Sequence, residues 1–189
     1  MLPLILGLIL FLGMHSARMI APAWRDGRVA TMGEGPWKGI YSLISLAGFV
    51  LIIWGYGRAW AVAPVLYEPP TWLKHLAALL MFFSFVSAMV SAFPAGRLKP
   101  ALKHPLLLAV KIWAFAHLLA NGDLAAVILF GAFLAWAVAD RIALKRRDEP
   151  LPLAGPVKWD VAAIVSGAAL YVLFVWKLHL WLIGVPPLA

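Results

Sequence analysis

Six long apolar stretches leave this chain almost no choice of solvent. Crossing ~30 Å of hydrocarbon takes about 20 helical residues at 1.5 Å each. Runs of that order extend from Leu2 to Ile20, Trp37 to Tyr56, Trp72 to Phe93, Pro105 to Ala120, Leu124 to Ala139 and Trp159 to Ile183. Of 189 residues, 64% are hydrophobic and 13% charged, whereas soluble domains carry ~45–50% and ~25%. Lipid offers the backbone no hydrogen-bond partners, so such segments span as helices. The chain is expected to be all-α, a polytopic transmembrane bundle of about six helices forming a single integral membrane domain over residues 1–189.

The connections refine this picture. Asn121-Gly122-Asp123 is a turn-forming tripeptide, so the fourth and fifth spans, both short, are expected to form a tight hairpin. Pro105 directly after His104 is a helix-opening proline, and Pro69-Pro70-Thr71 precedes the third span. The stretch from Asp148 to Pro156 reads as a proline-rich connection. Ala21-Pro22-Ala23 has the form of a signal-peptidase site, but no basic residue precedes the first apolar run, and that helix is expected to remain.

Charge orients the bundle. Loops one, three and five with their flanks carry twelve cations: Arg18, Arg25, Arg28 and Lys38 in the first; Arg97, Lys99 and Lys103 in the second; Arg141, Lys145, Arg146, Arg147 and Lys158 in the third. The two opposite loops carry Arg58 and Lys74 alone. That bias places the basic loops in the cytoplasm and turns both termini away from it. Anionic headgroups account for the net charge of +8 without invoking nucleic acid. The absence of cysteine excludes disulfides, thiolate metal sites and covalently attached haem.

Histidine is then the available chemical toolkit. His75 and His179 lie near the outer ends of their spans, where an imidazole reaches interfacial water, and His104 sits at a helix start, suited to capping. His15 and His117 are deeper, and a polar side chain within a span is a functional-site candidate. Either could instead donate to a backbone carbonyl or a neighbouring helix. Arg18 follows His15 by three residues on the same helix face, a cation suited to a cofactor bearing carboxylates. Val110, Ala114, His117 and Asn121 form one stripe, with Ala114 leaving room for something flat. Counted from the cytoplasmic ends, His15 is ~10 Å deep and His117 ~20 Å, so pairing His117 with His75 or His179 competes with pairing it with His15.

These residues also carry a resemblance. Met14-His15-Ser16, the segment from Arg25 to Gly39 with Gly33-Glu34-Gly35-Pro36-Trp37-Lys38-Gly39, and His104-Pro105 followed by Trp113-Ala114-Phe115-Ala116-His117 and Asn121-Gly122 resemble the NnrU family. This is a bacterial membrane family associated with denitrification genes, whose plant relative is the zeta-carotene isomerase. The resemblance covers nearly the whole chain through Arg147, with the last span less characteristic, and implies a haem b whose iron is bound by His15 and His117. Arg18 is the best-placed residue for the propionates, ahead of Arg25, Lys103 and Lys111. In the isomerase the second motif also holds a cysteine implicated in redox-dependent ligand exchange; here that position is Ala114.

Two functions follow from the resemblance. One is haem-dependent cis–trans isomerisation of a lipid-soluble polyene, with the cofactor supplying the electronics. The other is a non-catalytic haem protein that transfers electrons, senses nitric oxide or supports nitric oxide reductase. A membrane methyltransferase is disfavoured, because no convincing nucleotide-binding motif accompanies the spans.

Overall fold

A computed structural model describes residues 1–147 and 150–188. Asp148 and Glu149, at the start of the expected proline-rich connection, lie outside the described residues. Among the described residues the chain is all-α, apart from an isolated bridge between Val65 and Asp123. The helices are α1 (Leu2–His15), α2 (Ala17–Ile20), α3 (Pro22–Met32), α4 (Glu34–Trp60), α5 (Thr71–Ala92), α6 (Leu98–Leu102), α7 (Pro105–Ala120), α8 (Leu124–Arg146) and α9 (Lys158–Ile183). Within α9, Phe174–Leu178 is wound as a π-helix.

Four helices, α4, α5, α8 and α9, are long and apolar enough to cross a bilayer, and the chain is a multi-pass membrane protein. Among the described residues the expected count of about six helices is corrected to nine. The first apolar run breaks at Ser16 into α1 and α2, and the first and third loops contain α3 and α6. The fifth span is no short segment either, since α8 continues through the basic residues to Arg146, 23 residues in all. The two short apolar helices are α1 and α7, with 14 and 16 residues.

The described residues form two compact units interleaved along the chain. One comprises Met1–Leu66 and Asp123–Arg146; the other, Tyr67–Gly122 and Arg147–Ala189. The turn at 121–123 therefore separates two units. Within its own unit α7 packs on α5, and within the other α8 packs on α4 and α1.

In the first unit α1 and α4 pack through backbone. Along α4, Gly48, Ile52, Gly55 and Ala59 recur at spacings of four, three and four and are buried, as are Leu4, Gly7 and Leu8 on α1. A Cβ on Gly7 would stand 2.6 Å from the Ile52 amide nitrogen, and one on Gly48 would stand 2.7 Å from that of Phe11. Without a hydrophobic drive between helices in lipid, close approach over small residues supplies the contact. Asp123 starts α8, its carboxylate accepting from the Ala126 amide at 2.9 Å. Before α4, α3 contributes an edge-on contact of Trp24 with Trp37, ring centres 5.7 Å apart.

The second unit is built on α5, flanked by α7 and α9. The buried Ser84 hydroxyl donates to Ala109 O of α7 at 2.9 Å, and Gly167 lets α9 approach the Val86 backbone. Asp160 fastens the start of α9 to the α6 region, accepting from the amides of Arg97 and Leu98 at 2.8 and 3.0 Å. Lys99 donates to Phe93 O at 2.6 Å, satisfying an orphan carbonyl where α5 ends. Lys103 joins α6 to α7 with φ 64° and ψ −62°. The His104 amide donates back to Leu102 O at 2.7 Å, making the strained, positive-φ form of γ-turn.

Candidate cofactor site

His15 closes α1, on the face that carries Leu4, Leu8 and Phe11. Its Nδ1 lies 2.7 Å from Phe11 O. A carbonyl can only accept, so Nδ1 carries the proton and, in the neutral ring, Nε2 carries the lone pair. The ring is stacked on Phe11 with centres 4.2 Å apart, and Tyr41 and Trp136 follow at 5.1 and 6.0 Å. Trp136 Nε1 is buried and has no acceptor among the described residues. Ser16, which ends α1, turns its hydroxyl to Leu12 O at 2.6 Å. Arg18 follows in α2 as an exposed residue.

His117 repeats the arrangement in the other unit. Its Nδ1 lies 2.8 Å from Trp113 O, and the Trp113 and His117 ring centres are 5.4 Å apart. Asn121 Nδ2 donates to His117 O at 2.9 Å, closing the last turn of α7. Ala114, expected to leave space beside His117, is fully buried, and the space in this unit lies elsewhere. A cavity of about 180 Å³ opens instead along Ala116, His117, Ala120 and Asn121 of α7, facing α5 and α9.

The remaining histidines separate clearly. His179 of α9 lines the same cavity as His117, and its Nδ1 lies 2.6 Å from Val185 O. His75 is exposed. His104 occupies the capping position of α7 through its backbone, its carbonyl accepting from the Leu108 amide at 3.0 Å; its side chain makes no capping bond. Among the described residues no group of three or more His, Cys, Asp or Glu side chains gathers as a metal cluster.

Sequence reasoning found the two deep histidines but missed their surroundings. Tyr41 and Trp136 come from helices distant in sequence, and no local spacing connects them to His15. Depth along the spans already raises His179 as a candidate neighbour of His117, and the two line one cavity. No curated protein and no solved structure matches the chain significantly. The family model described as NnrU protein matches residues 3–187. That match takes in both histidine motifs and α9 as well, and the chain belongs to the NnrU family.

Proposed function

We propose that this protein binds haem b in the bacterial inner membrane, where His15 and His117 would hold the iron, Arg18 would serve the propionates and both termini would be periplasmic. The observation that carries the reading is the shared tautomer of the two imidazoles. In each, a carbonyl one turn earlier holds the Nδ1 proton and directs the lone pair to Nε2. A bond of this kind to the other ring nitrogen orients a metal-binding histidine and raises its basicity. The buried Trp136 N–H beside His15 adds a donor suited to a ligand bearing carboxylates.

Bound haem would supply redox and ligand-binding chemistry tuned by its axial residues. The chain's own contribution is to orient the two imidazoles and exclude water with an apolar shell. The resemblance to the isomerase supports cis–trans isomerisation of a lipid-soluble polyene taken from the bilayer. The second reading is a non-catalytic haem protein: two strong ligands that stay bound suit electron transfer, whereas nitric oxide sensing, like isomerisation, needs one to leave, and support of nitric oxide reductase is the third form of this reading.

The test is the reduced-minus-oxidised absorption spectrum of protein purified after expression with ample haem. A haem b spectrum that changes or disappears in both His15→Ala and His117→Ala is expected. A folded, colourless wild type would reject the cofactor, and unchanged spectra in both variants would reject the ligand pair. Incubating the reduced protein with cis-polyenes, and separately titrating it with nitric oxide, discriminates the two functions.

A further inference from the structure

The cavity of about 180 Å³ in the second unit is a slot with a polar mouth and an aromatic floor. Along α5 it is lined by Lys74, Ala78, Met81 and Phe85 at spacings of four, three and four, a stripe about 16 Å long at 1.5 Å per residue. α7 and α9 run antiparallel to α5: Ser84 bonds to Ala109 and Val86 meets Gly167, whereas Lys74, near the start of α5, shares the lining with Asn121 and His179. Lys74, Asn121 and His179 therefore gather at one end, with His117 one turn deeper. At the other end the Phe85 ring lies against Tyr171 and Phe174, ring centres 6.3 and 5.1 Å apart. Between the ends, the methyl side chains of Ala78, Ala116 and Ala120 leave the space.

Two local features shape the mouth. Gly184, with φ 82°, ends α9 and turns the chain back, a left-handed conformation that glycine adopts without strain. Val185, Pro186 and Pro187 thereby join the lining, and Val185 O accepts from the His179 Nδ1–H at 2.6 Å. The prolines bring no amide hydrogen into this wall. With Nδ1 committed, the neutral His179 ring keeps Nε2 as an acceptor, while the Lys74 ammonium is a donor.

We propose that this slot binds a medium-chain fatty acid, its chain lying along α5 and its carboxyl group at Lys74 and His179. A closed apolar floor admits the chain end and leaves the head at the mouth. One carboxyl oxygen accepts from Lys74, and the other donates its proton in a hydrogen bond to His179 Nε2; the bond to the ammonium, being charge-assisted, is the stronger. The head confers the affinity, because lipid tails are as apolar as the slot and burying the chain gains little. The volume accommodates one chain of this length and excludes a two-chain phospholipid. The recognition uses no iron, and neither Lys74 nor His179 serves the haem reading, so the two stand independently.

The test uses full-length protein in phosphatidylcholine nanodiscs with decanoic acid carrying a diazirine at its terminal carbon, and peptide mass spectrometry locates the crosslinks formed on illumination. Leu79 and Phe83, exposed on α5, report acid dissolved in the lipid. The expected result is crosslinking at Met81, Phe85 and Phe174 that excess decanoic acid removes and that decane and methyl decanoate leave in place. Lys74→Gln should weaken this binding about tenfold or more. Ala78→Phe, which fills the slot, should abolish it, and both variants should leave labelling at Leu79 unchanged. If Ala78→Phe misfolds, Lys74→Gln and the competitors still decide. Crosslinks confined to Leu79 and Phe83, equal competition by methyl decanoate, or undiminished cavity labelling in Lys74→Gln overturns the assignment. Each readout is independent of haem content, so a colourless protein would reject the haem reading and leave this one standing.

Discussion

Adding one methyl group at Gly48 tests whether the α1–α4 contact positions His15. The Cβ of Gly48→Ala would lie 2.7 Å from the Phe11 amide nitrogen and 3.1 Å from Gly7 O, all backbone that cannot swing aside. Ordinary contact begins at 3.4 Å, so α1 must retreat by 0.7 Å (3.4 − 2.7). Overpacking of this kind costs about 1–3 kcal/mol, and alanine returns up to ~1 kcal/mol of helix propensity. Gly39, in the same helix, has nothing within 4 Å of its Cβ position, so Gly39→Ala receives the propensity gain alone. The two substitutions are expected to differ by about 1–3 kcal/mol, with Gly48→Ala the less stable. Denaturant titration in a fixed detergent, followed by far-UV circular dichroism, measures that difference. Since Phe11 O accepts the His15 Nδ1–H, fluorescence of the neighbouring Trp136 should also shift in Gly48→Ala and not in Gly39→Ala. Equal stabilities for the two variants would refute the close-approach account of this interface.

Three further substitutions probe the second unit. Asp160→Ala strands the Arg97 and Leu98 amides and should destabilise by about 1–3 kcal/mol; faster proteolysis between α5 and α6 is the readout, and unchanged cleavage would count against the latch. Lys103→Gly removes a side chain from a positive-φ position and should stabilise by about 1 kcal/mol after the entropic cost of glycine; a lower melting temperature would contradict the strain assigned to that turn. Ser84→Ala deletes the bond to Ala109 O and should lower stability by about 0.5–1.5 kcal/mol, as read by the same denaturant titration; no loss would mean that the bond adds nothing to the α5–α7 contact.

Much of the helix map was legible because hydropathy and punctuation act locally. Pro105 and Asn121 bracket α7 at the expected limits, Thr71 opens α5, and Asp123 caps α8. Periodicity revealed less about the short amphipathic pieces. Trp24, Arg25 and Arg28 sit on a helix that the charge map treated as loop, because a cytoplasmic cation counts the same whether its backbone is coiled or not. The α8 limit was misjudged for a related reason: Asp140 to Arg146 are too polar for hydrocarbon yet remain good helix formers beyond it. The histidines divide along the same line. His15 and His117 stood out by depth, a property of one segment, whereas the cavity that His117 shares with His179 depends on how α5, α7 and α9 pack together.

The interleaving of the two units bears on how the protein is made. Once Leu66 has emerged, 56 residues, Tyr67 to Gly122, are synthesised before α8 begins. At about 5–20 residues per second the ribosome takes roughly 3–11 s over them. Throughout that interval α1 and α4 must hold together as a pair, with the side of His15 that Trp136 will cover still open. Glycines that let two backbones meet directly suit such a wait, since the contact between α1 and α4 is complete before a third helix arrives.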